Sequence, residues 1–316
     1  DPRRLHWLPN PVEAPGGREP APAPAPGRVF LYPTRALRRK NMGEFLLWAC
    51  LGRAGDRFAA TLAPTDPADR RVYGRWRALA RSLDLPVVFE VGRESPEAFA
   101  AWLSAAAAVV TTSVAEGFGL AFLEPWLAGR PLAGRDLPDI TADFKKAGVR
   151  LDGLYERLPI PGSWIPAAAF RRRLAAGVRD WLGAYGRRAA GSDLERAWAA
   201  VWSGGRVDFG RLDEGSQSAV IRRLAASPAA RAESALPALF EAGPAPKVLA
   251  ANGRIIRRTF GAAAYRRRVM ALYRRTAAGS GRRLDALSAA ALLDGFLDPA
   301  GLHLLRLSPA GEEDAT

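Results

Sequence analysis

Cysteine and histidine are scarce in this chain of 316 residues. Cys50 is the single cysteine, which excludes an internal disulfide and favours a reducing compartment such as the cytoplasm. Its apolar, helix-like surroundings, "MGEFLLWACLGRAG", are typical of a buried structural thiol rather than a nucleophile. His6 and His303 lie at opposite ends of the chain, and we expect each to be structural or exposed rather than catalytic.

Long apolar runs are also lacking. No stretch of about 18 apolar residues occurs, so the sequence predicts no membrane-spanning helix. The opening residues, "DPRRLHWLPNPVEAPGG", contain neither an initiator methionine nor the apolar core of a signal peptide. We therefore expect this chain to be a piece of a longer cytoplasmic protein.

Acidic residues are outnumbered, with 32 Asp and Glu against 46 Lys and Arg, and the formal net charge is +14. Only four of the basic residues are lysines: Lys40, Lys145, Lys146 and Lys247. An arginine-rich, alanine-rich composition is typical of a GC-rich genome, which favours solvated arginine faces. The same charge also suits an anionic partner, such as nucleic acid, lipid headgroups or a phosphorylated substrate. The composition alone leaves both interpretations open, although no zinc-finger spacing or aromatic RNA-binding signature accompanies the charge.

The order of the predicted elements indicates an α/β fold. Residues 1–27 contain a proline- and alanine-rich linker, and residues 28–188 alternate short apolar strands with helices. The sequence predicts strands at 28–33, 57–64, 86–92, 107–113 and 130–135, and helices at 41–53, 66–85, 95–106 and 118–129. This alternation predicts a doubly wound parallel sheet of the Rossmann-like, nucleotide-binding type. Residues 189–316 predict a mostly helical extension that ends in a frayed tail.

Two stretches that follow predicted strands carry the candidate chemistry. The first, "YPTRALRRKNMGE", places a cluster of fixed positive charge after the first strand: Arg35, Arg38, Arg39 and Lys40. The second, "TTSVAEGFGLAFLEPWLAGRP", places Glu116 and Glu124 around a pair of glycines where a strand leads into a helix. Ligands in such sheets bind beyond the carboxyl ends of the strands. Cations suit a diphosphate, and carboxylates accept hydrogen bonds from hydroxyl groups, so the two stretches together suit a nucleotide sugar.

These stretches resemble the carboxy-terminal, donor-binding domain of retaining GT-B glycosyltransferases, the group known as glycosyltransferase family 4. Arg35 and Lys40 match the arginine and lysine, five positions apart, that follow the first strand of that domain. The E-x7-E signature of the group is matched by Glu116, Gly117, Phe118, Gly119, Leu120 and Glu124. The segment "WLPNPVEAP" is similar to the one that enters the domain from its amino-terminal partner. The resemblance covers about residues 5–135.

The resemblance implies a role for each matched residue. It implies that Arg35 and Lys40 bind the donor diphosphate, Glu116 faces the transferred sugar and Glu124 binds the ribose. The backbone of residues 117–120 would contact the sugar and the distal phosphate. No D-x-D pair occurs in the chain, which fits a metal-independent mechanism without a further cofactor. Arg38 and Arg39 are expected to be surface charges, and Glu44 a structural or capping acid.

The sequence also departs from the family pattern. Pro125 directly follows Glu124, which predicts a kink or a late helix start. The D-G-x-x-G-x-L segment usual after the last matched strand is not recognisable, and the amino-terminal domain that supplies most acceptor contacts is missing. The predicted function is therefore the donor-binding half of a glycosyltransferase that transfers a hexose to a polyol, lipid or polysaccharide, with activity of this piece alone doubtful. The alternatives are a non-catalytic nucleotide-sugar-binding module and an arginine-rich nucleic-acid-binding protein.

Overall fold

A computed structural model describes residues 6–15, 26–93, 95–233, 245–278 and 288–307. Most of the predicted linker, residues 16–25, and the predicted tail, residues 308–316, lie outside the described residues. The strands are β1 (Val29–Arg35), β2 (Arg57–Leu62), β3 (Val87–Phe89), β4 (Ala106–Thr111), β5 (Leu132–Arg135), β6 (Leu154–Tyr155), β7 (Pro159–Pro161), β8 (Trp202–Ser203) and β9 (Arg206–Asp208).

Helices cover both faces of the main sheet. The first six are α1 (Met42–Leu51), α2 (Pro67–Ser82), α3 (Pro96–Ala105), α4 (Glu124–Leu127), α5 (Pro138–Lys146) and α6 (Ala167–Ala184). The remaining helices are α7 (Gly191–Val201), α8 (Glu214–Ala226), α9 (Pro228–Glu233), α10 (Pro246–Phe260), α11 (Ala262–Ala278) and α12 (Ala289–Phe296). None of the described helices is both long and apolar enough to cross a membrane.

Six parallel strands form the main sheet in the order β3-β2-β1-β4-β5-β6. This is the strand order of a doubly wound Rossmann sheet, and its direction of winding reverses between β1 and β4. The α/β fold class predicted from the alternating elements is confirmed.

The two faces of the sheet follow from the alternation of side chains along each strand. Phe30 and Tyr32 of β1 point into one core, which α1, α2, α6, α7 and α8 complete. Leu31 of β1 and Val109 of β4 point into the other core, which is covered by α3, α4, α5 and α10. Because both faces are covered, the central strands are apolar on both sides, as the sequence predicted.

A second sheet was not predicted. It is antiparallel, with the order β7-β9-β8. It pairs Pro159–Pro161 with Arg206–Asp208, and these segments lie on either side of residue 188, where the sequence placed a domain boundary. Strands of two or three residues, one of them bounded by prolines, lack the length and the periodicity that indicate a strand in sequence.

The segment after β4 also differs from its prediction. In place of one helix over 118–129, a 3-10 turn at Leu120–Phe122 precedes the four-residue helix α4, which begins at Glu124. Pro125 therefore occupies the first turn of α4, where its missing N–H has no carbonyl partner to lose. The late helix start expected from Pro125 is what the structure has.

Candidate functional site

The two candidate loops meet at the carboxyl edge of the sheet, beyond β1 and β4. Val114 N–H donates to the carbonyl of Arg39 at 2.9 Å, and Thr112 Oγ1 donates to the carbonyl of Lys40 at 3.0 Å. Tyr32 OH also donates to the Lys40 carbonyl, at 2.8 Å. Since the winding of the sheet reverses between these two strands, the site lies where ligands of doubly wound sheets bind.

The backbone of Lys40 is held on its other side by Asn41. Asn41 has a left-handed backbone (φ 51°) and is buried, and its side chain accepts from the N–H of Glu44 to cap α1. The carbonyl of Asn41 accepts a hydrogen bond from Thr112 Oγ1 at 3.0 Å, and its Oδ1 accepts one from Gln217 Nε2 of α8 at 2.9 Å. The loop that presents Lys40 is therefore fixed from the sheet and from the second region of the chain.

Lys40 and Glu116 form an ion pair between the two loops. Both side chains are largely enclosed, at 14% and 10% exposed. Burial lowers the pKa of Lys40, and the charge of Glu116 opposes this shift. Arg39 lies at the rim, where its Nη1 donates to the Ala115 carbonyl and lies 3.5 Å from Glu116 Oε2.

A cavity of about 340 Å³ opens beside this pair. Six of the eight predicted site residues line it, and most of the other lining residues are apolar. The lining consists of Asn10, Pro15, Pro33, Lys40, Phe99, Leu103, Val109, Glu116, Phe118, Gly119, Leu120, Ala121, Glu124 and Pro125. A concave, largely apolar pocket with a few convergent charged groups is the usual form of a small-molecule site.

Glu124 differs from Glu116 in having no counter-charge among the described residues. Its side chain is half-buried at the start of α4, and no described residue donates a hydrogen bond to its carboxylate. Burial raises the pKa of Glu124. The cavity therefore contains one carboxylate that Lys40 neutralises, Glu116, and one that accepts no hydrogen bond from the described part of the chain, Glu124.

The two glycines of the loop have different structural demands. Gly119 has a φ of +87°, and a Cβ there would lie 2.5 Å from Ile140 Cγ2, so the fold itself requires glycine. A Cβ on Gly117 would meet no atom within 4 Å. Packing within the protein therefore does not require glycine at position 117. The lack of a side chain there leaves the backbone accessible to a ligand.

Arg35 and Gly117 are the two predicted site residues that do not line the cavity. The side chain of Arg35 is exposed at the end of β1 and donates to the Ala63 carbonyl at 3.2 Å. The expectation that Arg38 is a surface charge is wrong. Its guanidinium is 10% exposed and pairs with Glu214 of α8, because the second region folds over the loop.

Sequence reasoning missed the wall formed by segment 6–15 and by α3. Asn10 and Pro15 line the cavity, and Trp7 packs edge-on against Phe260 of α10. Phe99 and Leu103 line it from α3, and their spacing of four residues on one helical face was the signal for a wall. The path of residues 6–15 depends on packing against α10, which local patterns do not reveal.

A buried charge network lies beside the site. Of its residues, only Glu44 was singled out from the sequence. Glu44 is a structural acid in the first turn of α1, one of the two roles expected of it, and it is fully buried, with its Oε2 2.7 Å from Nη2 of Arg135. The same Nη2 lies 2.9 Å from Asp208 Oδ1, and Tyr155 OH donates to Glu44 at 2.8 Å. Burial raises the pKa of Glu44 against the opposing charge of Arg135. His303 is buried as well, and burial lowers its pKa to about 3, so it is neutral.

The fold and the site define a Rossmann-like α/β domain with a charged cleft at its topological switch point. In the part of the chain that the structure describes, no group of three His, Cys, Asp or Glu residues is arranged to hold a metal ion. No protein-family model matches the sequence, and no curated protein matches it.

Solved structures of glycosyltransferases are similar to this chain. A Staphylococcus aureus TarM variant, in complex with fondaparinux, alpha-GlcNAc-glycerol and UDP, matches with 12% identity and a TM-score of 0.42, over 83% of this chain and 38% of that one. Sucrose-phosphate synthase from Thermosynechococcus elongatus matches with 22% identity and a TM-score of 0.42, over 82% and 47%. The carboxy-terminal domain of LpcC, a glycosyl transferase group 1 family protein from Francisella tularensis, matches with 20% identity and a TM-score of 0.31, over 35% and 60%.

The chain thus spans less than half the length of TarM and of sucrose-phosphate synthase. At TM-scores of 0.42 or less and identities of 22% or less, these likenesses carry no argument about the function of this chain. Function must be argued from the cleft itself.

Proposed function

We propose that this chain is the donor-binding half of a retaining glycosyltransferase that transfers a hexose from a nucleotide-diphosphate sugar. The observation that carries the proposal is the convergence of Lys40, Glu116 and Glu124 on one cavity at the switch point of the sheet. A cation, an ion-paired carboxylate and a carboxylate to which no described residue donates are the groups that suit a ligand with both phosphates and hydroxyls.

The roles follow the positions of the groups. Lys40 binds the diphosphate, and Glu116 holds the Lys40 ammonium in place until the ligand arrives and then faces the sugar. Glu124, whose carboxylate has acceptor capacity to spare, receives hydrogen bonds from the ribose hydroxyls. Arg35, exposed at the end of β1, reaches the outer phosphate when the donor extends beyond the cavity.

The proposed reaction exchanges one bond to the anomeric carbon for another. The bond from that carbon to the phosphate oxygen breaks, its electrons stay with the nucleoside diphosphate, and an acceptor oxygen bonds to the carbon on the same face. The acceptor proton passes to the departing phosphate oxygen. Lys40 and Arg35 stabilise the negative charge on that oxygen, which is the electrostatic role that accelerates such a step.

We also propose that these cations act without a divalent metal or a further cofactor, and that the protein works in the cytoplasm. The acceptor, a polyol, lipid or polysaccharide, would be held by an amino-terminal partner domain. Residues 7–15, which resemble the segment that enters the donor domain of such enzymes, support this arrangement, because Asn10 and Pro15 line the cavity.

Calorimetry with UDP, GDP and ADP tests the proposal on this chain. We expect one of the three to bind, and Lys40→Ala to weaken that binding about 10- to 100-fold, the range for loss of a charge-assisted hydrogen bond. Because Lys40→Ala leaves Glu116 without its main counter-ion, the double variant Lys40→Ala/Glu116→Gln shows whether the loss persists once the buried charge is removed.

Lys146→Ala, which removes an exposed lysine of α5, is the matched control and should bind as the wild type does. Failure of all three nucleotides to bind, or unchanged binding by Lys40→Ala, would contradict the proposal. If a nucleotide sugar binds but is never cleaved, even by a longer form with an acceptor domain, the non-catalytic module is the better description.

A further inference from the structure

The helices α10 and α11 carry a concentration of positive charge that the cleft does not use. Residues 245–278 contain no Asp or Glu, although the whole chain has 32 of them. They contain nine cations: Lys247, Arg254, Arg257, Arg258, Arg266, Arg267, Arg268, Arg274 and Arg275. This short segment therefore holds much of the net charge of +14.

These cations face outward. Helix α10 buries Val248, Ile256 and Phe260, the last two in the core that includes α4, and it leaves its basic residues exposed. Helix α11 has a single buried residue, Ala264, so most of its surface is open. Arg268 is the exception among the nine, because its Nη1 donates to the Thr259 carbonyl at 2.7 Å and its guanidinium lies over the Trp7 ring.

The remaining eight cations form no ion pair with any described residue. Other exposed arginines of this chain do pair, such as Arg171 with Glu195 and Arg173 with Asp213. An arginine-rich composition alone does not account for this surface. Such a composition would still place Asp and Glu among the arginines, as in the rest of the chain, whereas residues 245–278 contain none.

Apolar side chains stand among these cations. Met270 is 45% exposed and Tyr273 is 64% exposed. At about 100° per residue, Arg266, Met270, Tyr273 and Arg274 fall within an arc of about 100° on α11. A helix face that combines arginines with an exposed thioether and a phenol suits the boundary between lipid headgroups and acyl chains.

We propose that the surface formed by residues 245–278 docks onto an anionic membrane. The arginines bind lipid phosphates, and Met270 and Tyr273 enter the boundary below the headgroups. A nucleic acid backbone would satisfy the cations equally well, but it would give the exposed Met270 no apolar surroundings. The charge complementarity and the apolar pair together favour the lipid surface.

The docking surface adjoins the cleft. Phe260, the last residue of α10, packs against Phe118 of the cavity wall with ring centroids 6.5 Å apart. The inference does not depend on the proposed glycosyl transfer, because it rests on α10 and α11 alone. Nucleotide binding and membrane binding are separate measurements, so either can fail without the other.

Flotation of the full chain with lipid vesicles tests the inference. We expect binding to vesicles that contain phosphatidylglycerol and none to pure phosphatidylcholine vesicles. The triple variant Arg266→Glu/Arg267→Glu/Arg274→Glu should bind about 100-fold more weakly, since each basic residue near an anionic surface contributes about fivefold. The control Arg71→Glu/Arg81→Glu/Arg172→Glu changes the net charge equally at exposed positions elsewhere and should retain binding.

The variant Met270→Ser/Tyr273→Ser separates a membrane from a nucleic acid. It keeps every cation, so weaker vesicle binding with unchanged retention of single-stranded RNA at low salt supports the membrane surface. Equal binding to neutral and anionic vesicles, or equal loss in the two triple variants, would overturn the inference. Tighter binding to RNA than to vesicles at the same ionic strength would overturn it in favour of a nucleic-acid surface.

Discussion

At the residue scale, Glu124 is the side chain of the cleft whose environment most favours a role in ligand binding. Its carboxylate is half-buried, burial raises its pKa, and no described residue compensates the charge. A group that is unfavourable for the empty protein but well placed for a ligand is typical of a functional position. Glu116, by contrast, is compensated by Lys40 within the protein itself.

Glu124→Gln is expected to stabilise the empty protein at neutral pH. The folded pKa of Glu124 lies above its usual value of 4.5, so between the two values the folded state binds more protons than the unfolded state. The free energy of unfolding of the wild type therefore falls as pH rises through that window. Urea unfolding should show that the gain in Glu124→Gln is present at pH 7 and disappears as pH falls towards 4.5.

The same variant should bind the nucleoside diphosphate about 10-fold more weakly in calorimetry, because one charged acceptor is lost. Asp180→Asn, at an exposed position of α6, serves as the control and should change neither quantity. Weaker stability together with unchanged nucleotide affinity would make Glu124 a structural residue.

The glycine pair offers a second test at this scale. Gly119→Ala places a Cβ 2.5 Å from Ile140 Cγ2 at a φ of +87°, so we expect a loss of about 1–3 kcal/mol in urea unfolding. Gly117→Ala meets no atom and should stay within about 0.5 kcal/mol of the wild type. If the donor passes over this backbone, Gly117→Ala weakens nucleotide-sugar binding in calorimetry without a change in stability. Equal affinity in Gly117→Ala and wild type would remove the backbone at residue 117 from the site.

At the scale of elements, a buried charge network joins parts that are distant in sequence. Arg135 ends β5, Glu44 lies in the first turn of α1, and Asp208 ends β9. The guanidinium contacts both carboxylates, so the main sheet, a helix behind the cleft and the second sheet share one set of bonds. The helix so held is the one whose cap, Asn41, directly follows Lys40.

Arg135→Met should lower the free energy of unfolding by about 3–5 kcal/mol, since it leaves buried Glu44 without its counter-charge and leaves Asp208 only Arg211, 3.9 Å away. Urea unfolding measures this, with Arg150→Met as the comparison. Arg150 pairs with Asp152 where both side chains are about 60% exposed, so its loss should cost less than about 1 kcal/mol. Equal losses of stability in Arg135→Met and Arg150→Met would show that the buried network does not stabilise the packing of β5, α1 and β9.

Elements with a strong local signal were predicted well. Helix α2 begins at its Asp66 cap and Pro67, and α3 begins after Ser95, as their cap-then-proline sequences indicate. The short strands β7, β8 and β9 were missed, because pairing between distant segments and not local propensity creates them.

At the scale of the whole molecule, one core crosses the boundary that the sequence placed at residue 188. Phe45, Trp48 and Cys50 of α1 belong to the same buried cluster as Val220 and Ile221 of α8. Gln217 and Glu214 of α8 also hold the loop around Lys40. Residues 189–316 thus contribute side chains to the core of residues 28–188.

A chain that ends at residue 188 is therefore expected to lose cooperative folding. Removal of α8 uncovers α1 on the side of Cys50, whose Sγ lies 3.9 Å from the Ile221 carbonyl in the intact chain. Dye binding to exposed apolar surface and urea unfolding measure the effect. A sharp unfolding transition of the shortened chain would instead support residues 28–188 as an independent domain.

The sequence by itself determined the α/β alternation, the carboxyl edge as the location of the cleft, and the membership of Lys40, Glu116 and Glu124 in it. The alternation and the edge follow from side-chain periodicity and turn residues, which act over a few neighbouring positions, and the resemblance to the family pointed to the three residues. Only the tertiary structure decided that Glu116 is neutralised by Lys40, that Glu124 has no described partner, and that Arg38 is enclosed by α8. Partnership and burial depend on which distant segments pack together, and local patterns do not contain that information.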